Sequence, residues 1–330
     1  MTAQMKAIVT TKYGSPEVLK LEEVEKPTPK DDEVLVKIHA AAITAGDVIL
    51  LKGEPFVTRF ATGLREPKYT IPGKEMAGRV VAVGQNVTQF QAGDEVFGNL
   101  SVAHCGAFAE YVAVPECAIA LKPTNLTFEE AAAVPESAVV ALQGLRDKGK
   151  IQPGHKVLIN GASGGVGLYA VQIAKAFGAV VTAVCSTRNV ELVRSLGADH
   201  IIDYTKEDFT QNGQQYDLIL AANGYHPIAD YRRALSPEGI YVSSGGSMKQ
   251  SLQAVTIGPL ISLTGSKKMG GMLVKPNQND LVFIKELIEA NKVKPVIDRR
   301  YALSEAADAY HYMGKGRAQG KVVINMEQNS

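Results

Sequence analysis

The chain has 330 residues, with 35 Lys plus Arg against 34 Asp plus Glu and an apolar content of 45%. Such a balance excludes a polycationic nucleic-acid binder and a disordered, low-hydrophobicity chain, while the length allows two domains with cores of their own. No stretch reaches the roughly 20 apolar residues of a membrane span, and the widely spaced Cys105, Cys117 and Cys185 suit a reducing compartment better than a disulfide framework.

The opening, MTAQMKAIVTTKYG, carries neither the apolar core of a signal peptide nor the arginine-rich character of a transit peptide, which predicts a cytoplasmic protein. From Met5 to Pro123 short strands and turns dominate: MKAIVT, EVLVKIHAAAI, MAGRVVAVG, DEVFG and GAFAEYVAVP, broken by glycine and proline. Between Gly53 and Gly73 lies a long irregular segment of mixed charge, the kind of loop that often forms a lid or substrate wall. After Pro123 the character changes to an alanine-rich helical stretch, with Pro135 at a kink or a helix start.

Lys156–Gly178, KVLINGASGGVGLYAVQIAKAFG, then reads as a buried strand, a glycine-rich turn and a helix. Ala162, Gly164 and Gly167 fit a dinucleotide fingerprint with alanine at the first position, and Ser163, Gly165 and Val166 complete the turn. Small residues there let backbone N–H groups approach a pyrophosphate that the helix N-terminus favours. Gly178 stands where a helix C-cap belongs. Further strands are predicted at Val180–Ser186, His200–Tyr204, Asp217–Asn223, Gly239–Gly246 and Ile261–Ser266, alternating with helices. Six apolar strands in that rhythm predict an α/β protein with a doubly wound, parallel Rossmann sheet. An amphipathic helix over Asp280–Lys292 and a closing strand–helix–strand follow; one strand and helix do not make a domain, so this tail is assigned to the first domain. The division is 1–123 with 276–330, and 124–275.

Taken together, the opening MKAIVTTKYGSPEVLKLEEVEKP, PGKEMAGRVVAVG, QAGDEVFG, GAFAEY, NGASGGVGLYAVQIAKAFGA, LGADHIIDY and GKVVI resemble the zinc-independent quinone oxidoreductases of the medium-chain dehydrogenase/reductase superfamily. The resemblance spans the whole chain. It implies a β-rich, GroES-like catalytic domain beside the Rossmann domain, a cleft between them and a homodimer.

Zinc-dependent members of the superfamily use a Cys, a His and a second Cys; the matching positions here are Thr44, Lys74 and Glu136. An ammonium, a hydroxyl and one carboxylate do not make a tetrahedral zinc site, so no metal is predicted. Lys74 and Glu136 would instead face each other as an ion pair in the metal's place, or else point to solvent.

An NAD-selective site carries an acid after the second strand, whereas this chain reads Ser186, Thr187, Arg188, Asn189. Hydroxyls and a guanidinium suit the 2′-phosphate of NADPH; the plainer reading is that Ser186 and Thr187 cap a helix. By resemblance Tyr204 lies near the adenosine phosphate, and Asn223, Gly224, Ser244 and Gly245 near the nicotinamide; Asn223 could equally be a turn former.

Hydride transfer to a conjugated carbonyl needs positioning and a donor for the developing oxyanion. Thr44 is the first candidate donor and Lys74 the second, while Asp47 matches a family position beside the nicotinamide or is a helix N-cap. The resemblance therefore implies an NADPH-dependent, metal-free reductase of quinones, enones or alkenals. An enoyl-thioester reductase is the alternative, weakened because no tyrosine falls within Thr44–Phe56, though Tyr69 could reach in from the loop. Some relatives bind NADPH without catalysis, or bind RNA; the basic pairs Arg232–Arg233, Lys267–Lys268 and Arg299–Arg300 form no stripe, so neither nucleic acid nor membrane is an expected partner.

Overall fold

The computed structural model describes residues 3–102 and 105–326, and by internal contacts the chain divides into two compact units. One comprises Met1–Glu136, Pro276–Glu289 and Pro295–Ser330; the other comprises Ser137–Lys275 with Ala290–Lys294.

The first unit opens with β1 (Gln4–Val9), paired antiparallel with β2 (Lys20–Glu25). Its long central strand β3 (Glu33–Ile43) is almost wholly buried, which is why it reads as a continuous apolar run rather than an alternation. Gly53, at φ 59°, ends α1 (Ala45–Lys52). The segment read as an irregular loop then makes a 3₁₀ turn at Phe56–Thr58 running into α2 (Arg59–Thr62), so part of it is helical. Next come β4 (Glu75–Val83), β5 (Glu95–Asn99), β6 (Tyr111–Pro115) and β7 (Ile119–Leu121). Helix α3 (Phe128–Ala132) follows the change of composition at Pro123 and packs on β3, β4 and β5. Pro135, whose missing N–H costs nothing at a helix start, opens α4 (Pro135–Leu142), which loosens into a π-helical turn at Gln143–Lys148.

In the second unit β8 (Lys156–Asn160) leads through the glycine-rich turn into α5 (Gly165–Ala176), followed by β9 (Val180–Cys185), α6 (Val190–Ser195), β10 (His200–Asp203) and β11 (Tyr216–Ala221). Gly178, at φ 78°, takes the left-handed turn after α5. Then come α7 (Ile228–Ala234), β12 (Leu235–Ser243), α8 (Met248–Thr264) and β13 (Lys268–Gly271). All pairings are parallel, in the order β10-β9-β8-β11-β12-β13. Numbered along the chain this is 3-2-1-4-5-6, the doubly wound order. Leu158, Ile219, Tyr231, Tyr241 and Met269 lie in one of its cores.

One strand was misplaced by the sequence. Ile261–Ser266 is not the sixth strand: residues through Thr264 continue α8, and β13 fills that place. Ser247 caps α8 by accepting from Gln250 N, and Gln250, Ala254 and Gly258 recur every four residues on its buried face. A Cβ at Gly258 would stand 2.7 Å from the Met269 carbonyl, so glycine lets the helix lie directly on β13.

Helix α9 (Gln278–Glu289) and the strand–helix–strand β14 (Ile297–Ala302), α10 (Ala306–Gly314), β15 (Lys321–Asn325) belong to the first unit. There β15 pairs antiparallel with β3, giving a seven-stranded sheet ordered β14-β15-β3-β4-β5-β7, with β6 also on β3. No helix among the described residues is long and apolar enough to cross a membrane.

Candidate active site

In the second unit the chain reverses sheet direction between β8 and β11, and ligands of open parallel sheets lie outside the carboxyl ends at such a point. The glycine-rich turn sits there. No side chain caps the N-terminus of α5, where Gly164 is the N-cap in extended conformation. The first N–H groups of that helix are therefore unclaimed by a side chain and suit an anion. A Cβ on Gly167 would stand 2.1 Å from the Gly161 carbonyl and 2.7 Å from the Ala162 Cα, whereas one on Gly164 would meet only the Gly161 carbonyl at 3.6 Å. Gly167 thus serves helix–turn packing, and Gly164 keeps a surface bare. Ala162 is fully buried.

After β9, Ser186 caps nothing with its side chain. Instead the buried Asn189 amide donates to Ser163 Oγ at 2.8 Å and to Ser186 Oγ at 3.2 Å, tying the fingerprint turn to the strand end. Asn189 was not singled out from sequence. Thr187 donates to Asp203 at 2.5 Å, and that bond, with others from Thr205 and Lys206, holds the Asp203 carboxyl far below its usual range. The Arg188 side chain is exposed, as is the Tyr204 ring at 62%. On the other side of the crevice, Ala222 N and Asn223 N donate to the Asn160 carbonyl at 3.0 and 3.1 Å, while Ser244 N donates to the Ala221 carbonyl at 3.0 Å. Gly224 takes φ 84°, and a Cβ on Gly245 would stand 2.5 Å from the Ala222 carbonyl. Both glycines are required by the backbone itself. The ends of β8, β11 and β12 are thereby locked side by side.

In the first unit Thr44 is the N-cap of α1 and Asp47 its third residue, forming a reciprocal capping box. Asp47 Oδ2 accepts from Thr44 N at 2.8 Å and from Thr44 Oγ1 at 2.6 Å, while Thr44 Oγ1 accepts from Asp47 N at 3.2 Å. The Thr44 proton is thus already given to a carboxylate. Lys74 faces Glu136 Oε1 at 3.6 Å, with both side chains about 15% exposed. Burial opposes the Lys74 charge, but the carboxylates of Glu136 and Asp47 outweigh it and raise the ammonium above its ordinary pKa. Burial pushes Glu136 up to about 7 despite Lys74, and its Oε2 is buried without a hydrogen-bond partner. A second ion pair supports the first. Lys321 at the start of β15 binds the fully buried Glu75, whose other oxygen accepts from Glu136 N at 2.6 Å. Neither Glu75 nor Lys321 was flagged from sequence.

This donor set does not fit zinc, since an ammonium occupies one ligand position and a capped hydroxyl another. Among the described residues no group of three or more His, Cys, Asp or Glu side chains is placed to hold a metal. Of the six histidines His104 lies outside the described residues. A cavity opens beside Asp47 within this unit. It is lined by Thr10, Tyr13, Tyr69, Cys105 and Tyr310 together with aliphatic side chains of α1. Cys105 takes φ 74°, and burial with the Asp47 charge pushes its thiol up to about 12.

A doubly wound sheet with a bare helix N-terminus at its switch point, joined to a β-rich unit, defines a dinucleotide-dependent oxidoreductase. Residues 30–124 match the alcohol dehydrogenase GroES-like domain and residues 196–324 the zinc-binding dehydrogenase domain. The chain is 38% identical over 336 residues to the 2-methylene-furan-3-one reductase of Solanum lycopersicum, covering 98% of this chain and 79% of that one. It is 36% identical to the chloroplastic NADPH-dependent alkenal/one oxidoreductase of Arabidopsis thaliana, over 97% and 79% of the two. The quinone oxidoreductase from Coxiella burnetii superposes with a TM-score of 0.87 at 28% identity, covering 98% of this chain and all of that one. The chain belongs to the quinone and alkenal/one oxidoreductases of the medium-chain dehydrogenase/reductase superfamily.

Proposed function

We propose that this protein is an NADPH-dependent reductase of quinones or of the C=C bond of α,β-unsaturated carbonyl compounds. The carrying observation is the pairing of an anion-ready α5 N-terminus with a hydroxyl- and guanidinium-bearing turn at Ser186–Arg188. When bound, NADPH supplies the hydride. The turn Ala162–Gly167 receives its pyrophosphate, Ser186 and Arg188 its 2′-phosphate, and Tyr204 its adenosine. Asn223, Gly224, Ser244 and Gly245 border the nicotinamide.

Among the candidate catalytic residues the order changes. Thr44 and Asp47 satisfy each other, so Thr44 orients Asp47 rather than offering a free proton. Lys74 keeps its charge, held by Glu136 and Asp47, and its field, rather than a contact from the cavity wall, stabilises the oxyanion that develops on the substrate carbonyl. Protonation of the enolate then comes from solvent or a hydroxyl in the cavity. An acyl-thioester substrate is disfavoured, because no lysine or arginine lines the cavity among the described residues.

A homodimer is proposed on the exposed face of α8. Met248, Leu252, Val255 and Leu263 are 59 to 82% exposed there, beside the edge strand β13. Such an apolar row and an uncovered edge are what a second copy would bury. Three unpaired cysteines suit a reducing compartment such as the cytoplasm.

The test is an NADPH-consumption screen over quinones, short enones and 2-alkenals. Turnover of at least one class, with NADH poorer than NADPH, supports the assignment; none with any of them overturns it.

A further inference from the structure

We propose that Tyr310 donates a hydrogen bond to the carbonyl oxygen of the bound substrate, making the cavity beside Asp47 a site for an uncharged apolar molecule that carries an oxygen acceptor. This deepens the function proposed above and rests on it for the identity of the ligand.

Tyr310 lies on α10, is 1% exposed, and its hydroxyl has no hydrogen-bond partner. A buried hydroxyl without a partner is costly and uncommon in a folded protein. It is therefore conspicuous at the wall of a cavity. Its hydroxyl lies within electrostatic reach of Asp47 and Cys105, which line the same cavity as Tyr310. Burial raises the phenol well above its ordinary pKa, so it stays a neutral donor at any working pH. Its ring is fixed edge-on against Phe108, with centroids 6.0 Å apart.

Other polar groups on the wall are already engaged. Tyr13 donates to the Gly63 carbonyl at 2.7 Å, Thr10 to the Lys12 carbonyl at 2.9 Å, and Asp47 Oδ2 accepts twice from Thr44. Asp47 is the charged residue of the lining, so anionic ligands are repelled while neutral carbonyl compounds are not.

The test uses the intact protein and Y310F, with 1,4-naphthoquinone and naphthalene as matched probes in equilibrium binding without nucleotide. Wild type binds the quinone about tenfold more tightly than the hydrocarbon, the effect of one net neutral hydrogen bond. In Y310F that preference vanishes, while NADPH affinity is unchanged and the ligand-free melting temperature is equal or higher because an orphan hydroxyl is gone. A wild type without the preference, a Y310F that retains it, or a Y310F that loses NADPH affinity and melting temperature together overturns the proposal. Quinone preference without NADPH oxidation would leave this subsite standing and remove the proposed reaction. Turnover with kcat and quinone KM unmoved by Y310F would do the reverse.

Discussion

Gly164 and Gly167 are three residues apart in one turn, yet their contacts predict opposite consequences for a single added methyl. At Gly167 the Cβ would fall 2.1 Å from the Gly161 carbonyl and 2.7 Å from the Ala162 Cα, both backbone atoms that cannot rotate away. Relief requires moving α5 off the turn by about 1 Å, and overpacking of this kind costs about 3 kcal/mol at the upper end of its usual range. For a unit of this size that is a melting-temperature loss of roughly 10 °C in G167A. At Gly164 the added Cβ would meet a single atom at 3.6 Å, and φ of −82° suits alanine. Only the N-cap preference for glycine over alanine is lost, within about 1 kcal/mol. G164A should therefore melt within a few degrees of wild type while its Kd for NADPH rises at least tenfold, because the methyl occupies the surface a pyrophosphate approaches. Differential scanning fluorimetry and NADPH fluorescence titration on both variants check this. Wild-type affinity in G164A would refute the phosphate assignment, and wild-type stability in G167A would refute the packing argument.

R188A should raise the KM for NADPH by roughly 10- to 100-fold, the range of one or two charge-assisted hydrogen bonds, and the KM for NADH by less than twofold; equal effects would sink the 2′-phosphate assignment. Glu136 titrates near 7 when folded against a reference of 4.5, so between those values the folded state holds a proton that the unfolded chain has released, and stability falls as pH rises. Relative to E136Q, wild type should lose roughly 2 to 3 kcal/mol across pH 4.5–7 and nothing further outside that window; parallel denaturation profiles would contradict this. Replacing Leu252 and Leu263 together by Glu should yield a monomer by light scattering with its melting temperature little changed, whereas an unaltered oligomer would place the interface elsewhere.

Legibility in the sequence followed the range of the interaction. The fingerprint unit was readable because strand, turn and helix are contiguous, and its glycines answer to atoms a few residues away. That Thr44, Lys74 and Glu136 suit zinc poorly follows from residue types alone. By contrast, Ile261–Thr264 has the β-branched content of a strand but completes a helix, while the actual strand, Lys268–Gly271, buries only Met269 and is held chiefly by its backbone ladder to β12. Nothing local marks it. Asn189 acquires its role from Ser163, 26 residues away, and Glu75 from Lys321, 246 residues away. Tyr310 reads as an ordinary core aromatic on an amphipathic helix, and only the three-dimensional wall of the cavity shows its hydroxyl to be unused.

Cys105 gives this cavity a second character. A protein proposed to receive electrophilic alkenes carries a thiol on the wall where they would rest, an arrangement that invites alkylation of the enzyme by its own substrate. The attacking species would be the thiolate, and with the thiol pushed up to about 12 by burial and Asp47, on the order of one molecule in 10⁴ to 10⁵ carries it near neutral pH. Burial first, and the carboxylate that Thr44 holds in place second, thus keep the neighbouring sulfur protonated and restrain its attack on the alkenes proposed to rest beside it.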